Sequence, residues 1–202
     1  MRVSEFEQRT EDWFAERLGK PTASSFHRLL TPTGKKCSSA DNYINELVAE
    51  RITGKQTSAF TSEAMQRGAD MEPEAKSTYE FITSKKVSDI GLCLHDILDC
   101  GASPDGLIDD GKGILEIKCP MQHTMVGYLR AGDVLPSKYI PQVQGQMWIT
   151  GLEYCDFFVF HPEMKVMLIQ VERDEEYIEK LAIEVGIACL LINEKSQEFL
   201  AQ

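Results

Sequence analysis

Ser103-Pro104-Asp105-Gly106, followed by Glu116-Ile117-Lys118 with ten residues between the two acids, is the stretch from which the rest of the chain is read. Gly113 to Lys118 has the composition of a strand. On a strand Glu116 and Lys118, two apart, share one face, while Ile117 points into the opposite, apolar layer. Asp105 sits where the preceding strand turns, and a hairpin-like return through Asp109 to Gly113 brings it back beside Glu116. Two carboxylates then face one hydrated hard cation, with the Ile117 backbone carbonyl as a further oxygen, a set that suits Mg²⁺ or Mn²⁺. Lys118 would hold and polarise an attacking water and neutralise charge growing on a phosphate, while the metal lowers that water's pKa. The chemistry of such a site is phosphodiester cleavage. The plainer reading is a Pro-Asp-Gly turn and a solvated strand end. Against it, Glu116 is the single polar residue from Ile114 to Ile117 and needs a cation or Lys118 to offset its desolvation.

Working outward, the pattern predicts an amphipathic helix from Glu5 to Leu18, ended by Gly19 and Pro21, then a helix carrying Phe26, Leu29 and Leu30 with Ser24 as its N-cap. A basic loop, Thr31 to Ser39, holds Lys35 and Lys36. Helices are expected over Ala40–Ile52 and Ser62–Ile82, the second interrupted near Pro73. Strand-type runs follow at Val87–Leu94, Ile97–Ala102 and Gly113–Lys118. Helices fit Thr124–Ala131 and Tyr139–Ile149, a hairpin joins Tyr154–Phe160 to Val166–Val171, and a helix from Asp174 to about Leu200 closes the chain. Helices before, between and after strands give a mixed central sheet flanked by helices in one α/β unit, with no repeat or linker to divide residues 1–202.

Composition bounds the partners. At 43% hydrophobic and 26% charged the chain reads as globular rather than disordered. No stretch reaches the roughly 20 apolar residues that a membrane span needs. The acidic N-terminus is unlike a signal peptide, so a cytoplasmic, membrane-free setting is expected. The 21 basic and 32 acidic residues give a net charge of −11, which repels polyanions at long range. Screening cuts that field within about 8 Å, so a local basic channel for nucleic acid stays open. The six cysteines form no CxxC, and free thiols are expected.

Five ordered blocks resemble the PD-(D/E)xK nuclease superfamily and, within it, the phage lambda-type exonucleases or YqaJ-like viral recombinases. They are Arg17-Leu18-Gly19 with Thr22-Ala23-Ser24; Met65 to Glu72; Ser103 to Gly106; Glu116-Ile117-Lys118-Cys119-Pro120; and Gln142-Val143-Gln144 with Met147-Trp148. The resemblance implies the PD-(D/E)xK nuclease core and Mg²⁺-dependent 5′-to-3′ digestion of one strand of duplex DNA from a phosphorylated end. Mononucleotides and a 3′-ended single strand would result. By position it makes Asp105 and Glu116 the metal-binding acids, Lys118 the catalytic lysine, Glu72 the acid that orients metal-bound water, and Gln142 a glutamine near the active centre. Arg17 would contact the phosphate of the nucleotide being removed, and Ser24 and Ser103 would grip the terminal 5′-phosphate. Met65 would wedge the strands apart, and Lys35 and Lys36 would hold the duplex backbone. Where the family adds an arginine after Lys-Cys-Pro this chain has Thr124, with His123 as the candidate substitute. A homotrimeric ring on double-stranded DNA ends and a single-strand annealing protein are the implied partners.

Each residue also has a local reading: Glu72 as a first-turn acid, Gln142 as solvent-facing, Arg17 as a helix end, Ser24 as a cap, Met65 as helix core and His123 as a bystander. An endonuclease or junction resolvase on the same core, and a non-catalytic DNA-end clamp, remain alternatives.

Overall fold

The computed structural model describes residues 1–57 and 63–201, apart from the side chains of 63–65. The chain opens with β1 (Arg2–Val3) and α1 (Glu11–Arg17). Helix α1 starts six residues later than the expected Glu5, because Thr10 is the residue whose hydroxyl accepts from Trp13 N–H (3.3 Å), and Arg9 before it is left-handed at φ 71°. Residues Ala23–Arg28 then form a 3-10 helix. Its cap position is Thr22, so Ser24 lies inside the first turn and is not the N-cap.

Helix α2 (Ala40–Thr53) closes on Gly54 in the left-handed conformation that a C-terminal glycine adopts without strain. Helix α3 (Glu63–Thr83) runs through Pro73 without the expected interruption. Pro73 frees the carbonyl of Ala69, and Ala69 lines an open cavity rather than a packed core.

The expected strand Val87–Leu94 is two strands in two sheets, β2 (Val87–Ser88) and β3 (Cys93–Leu94). Of Ile97–Ala102 only β4 (Gly101–Ala102) pairs. The rest is a turn, in which His95 Nδ1 accepts from the N–H groups of Ile97 and Leu98, both at 3.1 Å. Next come β5 (Gly106–Ile108), β6 (Gly113–Lys118), α4 (Gln122–Ala131), a 3-10 turn at Ser137–Tyr139, α5 (Ile140–Thr150), β7 (Tyr154–Val159), β8 (Met167–Glu172) and α6 (Glu175–Leu200). Asp174 caps α6 by accepting from Tyr177 N–H at 3.0 Å.

A five-stranded mixed sheet has the order β2-β5-β6-β7-β8, with β6 and β7 parallel and the other pairs antiparallel; β1, β3 and β4 form a smaller sheet. The α5 crossover supplies the helix that a parallel β6–β7 pair requires. On one face Leu115, Ile117 and Phe158 pack with Ala75 and Tyr79 of α3. On the other Ile114, Phe157 and Val159 pack with Met125 of α4 and with Val143 and Met147 of α5. Each fully buried side chain of this kind contributes about 1.5–3 kcal/mol. Helices on both faces explain why β6 and β7 are apolar at nearly every position instead of alternating.

Two contacts set where the helices sit. Gly145 lets α5 approach the 3-10 helix, since a Cβ there would lie 2.4 Å from Phe26 Cδ2. Buried Asp156 on β7 accepts from Tyr79 Oη (2.5 Å), Lys85 Nζ (2.6 Å) and Gln170 Nε2 (3.2 Å), which ties the end of α3 to the sheet. All six cysteines are free. No helix among the described residues is long and apolar enough to cross a membrane.

The His95 turn makes stability pH-dependent. Burial depresses the His95 imidazole below its usual value; the nearby Asp96 carboxylate offsets this in part, and the N-terminal amine adds to it. The neutral ring is the form that accepts both backbone N–H groups. A depressed basic group stabilises the fold above its unfolded pKa and loses that contribution as pH falls through its folded pKa. Melting temperature should therefore fall from pH 7 to pH 5 more steeply in wild type than in His95→Asn, whose carbonyl accepts without titrating. Parallel profiles would contradict this.

Candidate active site

The turn before β5 folds Asp105 against β6: its N–H donates to Leu115 O (3.0 Å) and its Oδ2 accepts the Ile117 N–H (2.6 Å). Glu116 and Lys118 share the α5 face of β6. Glu116 is 1% exposed. Its Oε1 accepts from Lys118 Nζ and from Gln142 Nε2 (2.6 Å), and its Oε2 accepts from Gln146 Nε2 (2.6 Å). Lys118 Nζ also lies over the Tyr139 ring, 5.1 Å from its centroid, where the ring face attracts a cation.

These groups line a cavity of about 560 Å³. Glu72 reaches it from α3, clasped by the Arg9 guanidinium. Gln8 holds that N-terminal loop in place by donating to Ile90 O and Pro104 O, both at 2.8 Å. Arg17 enters from the end of α1, its guanidinium 4.2 Å from the Trp13 ring centroid. It donates to Ser103 Oγ (3.0 Å) and Thr22 Oγ1 (3.2 Å), and Ser24 Oγ stands 3.4 Å beyond Thr22 Oγ1. The chain of three hydroxyls around a guanidinium is a donor array for an anion.

Charge is unbalanced at each end of this constellation. The Asp105 carboxyl is held well above the usual carboxylate range, first by burial, then by the charges of Glu116 and Glu72; Lys118 and the Ile117 N–H offset only part. Burial would depress the Lys118 ammonium, but Glu116 and Asp105 outweigh it and keep the group protonated. Burial lowers Arg17 to about 10, so it stays cationic at neutral pH, and among the described residues it has no carboxylate within ion-pair distance.

The donor set fits a hard divalent cation. Two crowded carboxylates and a backbone carbonyl are all oxygen, and the carbonyl oxygen of buried Gln146 has no partner among the described residues. No three His, Cys, Asp or Glu side chains among the described residues are grouped so that they could hold a metal ion together. Mg²⁺ takes one or two carboxylates and keeps several waters, so Asp105 and Glu116 would be enough carboxylates for it.

The cavity thus gathers Asp105, Glu116, Ile117, Lys118, Glu72, Gln142, Arg17, Ser24 and Ser103. It does not gather His123, which is exposed in the first turn of α4 while the next residue, Thr124, turns to the cavity. Lys35 and Lys36 are exposed on their loop, away from the cavity, with Lys36 3.4 Å from Asp41. The Met65 side chain lies outside the described residues.

The sequence alone assigns no role in the site to Arg9, Tyr139, Gln146 or Thr22, the last of which it quotes only as part of the Thr22-Ala23-Ser24 block. For Gln146 a signal existed: it is four residues from Gln142, hence on the same helix face. Gln144, quoted in the same block, faces elsewhere and joins Glu172 O and Asp174 N–H, both at 2.9 Å.

The YqaJ-like viral recombinase domain matches residues 12–153. The crystal structure of an alkaline exonuclease, LHK-Exo, from Laribacter hongkongensis is similar at TM-score 0.85 and 36% identity, covering 95% of this chain and 97% of that one. The structure of LHK-Exo in complex with dAMP is similar at TM-score 0.83 and 36% identity, with 94% and 96% covered. A phage-related exonuclease from Haemophilus somnus shares the fold at TM-score 0.66 and 16% identity, with 89% and 96% covered. An uncharacterized protein, R354, of Acanthamoeba polyphaga mimivirus is 25% identical over 77% of this chain, which spans 29% of that protein's length.

Proposed function

Because the chain belongs to the YqaJ-like viral recombinase family, we propose that it is a Mg²⁺-dependent 5′-to-3′ double-strand DNA exonuclease. It degrades one strand to mononucleotides, leaves a 3′ single strand for recombination by strand annealing, and accepts Mn²⁺ in place of Mg²⁺. The observation that carries this reading is the buried Glu116 carboxylate, shared by Lys118 and two glutamine amides and facing one cavity with Asp105. A cavity of about 560 Å³ is the size of a nucleotide-scale site. The likeness to an alkaline exonuclease, and to its complex with dAMP, supports the same reading.

Asp105, Glu116 and the Ile117 carbonyl would hold Mg²⁺, which when bound supplies Lewis-acid polarisation of a phosphoryl oxygen and an acidified water. The chain does the positioning. Glu116 is fixed by its amide donors, and Asp105 by the Ile117 N–H. Lys118, aimed by Glu116 and the Tyr139 ring, neutralises charge that grows on the phosphate as the water attacks. Glu72, steadied by Arg9, accepts from that water and orients it. Arg17, with Ser103 and Ser24, takes the phosphate of the departing nucleotide; its planar fork matches phosphate oxygens, and the phosphate supplies the counter-charge it lacks.

The proposed assembly is a homotrimeric ring on duplex ends with a single-strand annealing protein as partner. A ring reconciles the net charge of −11 with a polyanionic substrate, because the outside repels DNA while the passage attracts it.

Linear duplex labelled at the 5′ or the 3′ end of one strand, with a covalently closed circle alongside, tests this reading. In Mg²⁺ the 5′ label should leave early as mononucleotide and the circle should stay intact. Cutting of the circle would favour an endonuclease. Binding without digestion in Mg²⁺ or Mn²⁺ would favour an end clamp.

A further inference from the structure

A carboxylate only accepts hydrogen bonds, so a glutamine beside Glu116 must present its nitrogen and turn its carbonyl oxygen elsewhere. Gln146 does this at 2.6 Å, and the oxygen it turns away is buried with no partner among the described residues. Gln146 is 1% exposed, yet it lines the cavity that holds Asp105 and Glu116. A buried acceptor left open on a side chain whose nitrogen holds Glu116 points to a donor that occupies the working site.

We infer that Gln146 is a positioning residue for the divalent ion: its nitrogen fixes Glu116, and its carbonyl oxygen accepts a hydrogen bond from the ion's hydration water. The inference rests on the reading that Asp105 and Glu116 bind such an ion. Waters on a divalent cation are strong donors, and Mg²⁺ retains several of them in protein sites. Groups that hold ligands from behind typically change metal affinity about 10- to 100-fold. Glutamine suits the place because one side chain must donate on one side and accept on the other. Methionine matches its volume and does neither. Glutamate keeps the acceptor.

Calorimetric titration of the full chain with Mn²⁺, without DNA, tests this in wild type, Gln146→Met, Gln146→Glu and Glu116→Ala. Gln146→Met should bind Mn²⁺ about 10- to 100-fold more weakly. Gln146→Glu should bind at or above wild-type affinity. Melting in chelator reports folding; if Gln146→Met does not fold, Gln146→Glu decides alone, and weaker binding by it overturns the acceptor role. Equal weakening in both variants also overturns it, leaving Gln146 as a clamp on Glu116 only. Unchanged affinity in Gln146→Met overturns the inference while the metal reading stands. A wild type that binds no Mn²⁺, or Glu116→Ala binding it undiminished, overturns the metal reading and this inference with it.

Discussion

Replacing Lys118 by alanine is expected to slow mononucleotide release from linear duplex by about 10²- to 10³-fold, the loss seen when one preorganised charge facing a developing oxyanion is removed. On the proposed roles the loss should fall on kcat, because Lys118 would act on charge that appears only in the transition state, while Arg17 and the hydroxyls around it would still bind the end. Lys118→Arg should not recover the rate. The ammonium occupies a point between Glu116 and the Tyr139 ring, and a planar guanidinium places its charge differently. In chelator Lys118→Ala should also melt at a lower temperature, since the buried Glu116 carboxyl then loses its cationic partner and keeps only the two amides. Single-turnover and steady-state rates on the same duplex check this. A variant within tenfold of wild type would remove Lys118 from the chemistry.

Asp105→Asn should separate activity from stability. Burial and the charges of Glu116 and Glu72 disfavour ionised Asp105 in the metal-free fold, so a neutral isostere relieves that strain while its carbonyl still accepts the Ile117 N–H. In chelator the variant should melt above wild type. Adding Mg²⁺ should raise the wild-type melting temperature, because a ligand bound only by the folded state stabilises it, and should raise the variant's little or not at all. Digestion should fall by about 10²-fold or more, as for other losses of a preorganised electrostatic group. A variant that melts below wild type in chelator, or that gains as much from Mg²⁺, would contradict the placement of Asp105 as a metal ligand.

The parts of this site that local pattern made legible are those whose geometry is local. Strand β6 runs over Gly113–Lys118 as its composition predicted, and period-two alternation alone puts Glu116 and Lys118 on one face. Helix α2 follows its apolar spacing, and Asp174 announces α6. The readings that shifted depend on distant partners. Strands β1 and β3 are two residues each and exist through their pairing across the chain, Arg2 with Leu94, which no window of sequence contains. Pro73 reads as a break until the empty space beside Ala69 is known. His123 and Thr124 are neighbours in sequence, and only the direction from which α4 leaves the sheet decides that Thr124 meets the cavity. Thr22, whose hydroxyl links Arg17 to Ser24, carries no sequence signal of that role. Arg9 meets Glu72 across 63 residues, so its part in the site is a product of the tertiary fold alone.

On the proposed function, hydrolysis needs a divalent ion at Asp105 and Glu116. The rate at which wild-type protein releases mononucleotides from 5′-phosphorylated linear duplex, read before chelation, in excess chelator and after Mg²⁺ is restored, tests it most directly. Release should stop in chelator and return with Mg²⁺; an undiminished rate in chelator would contradict the account.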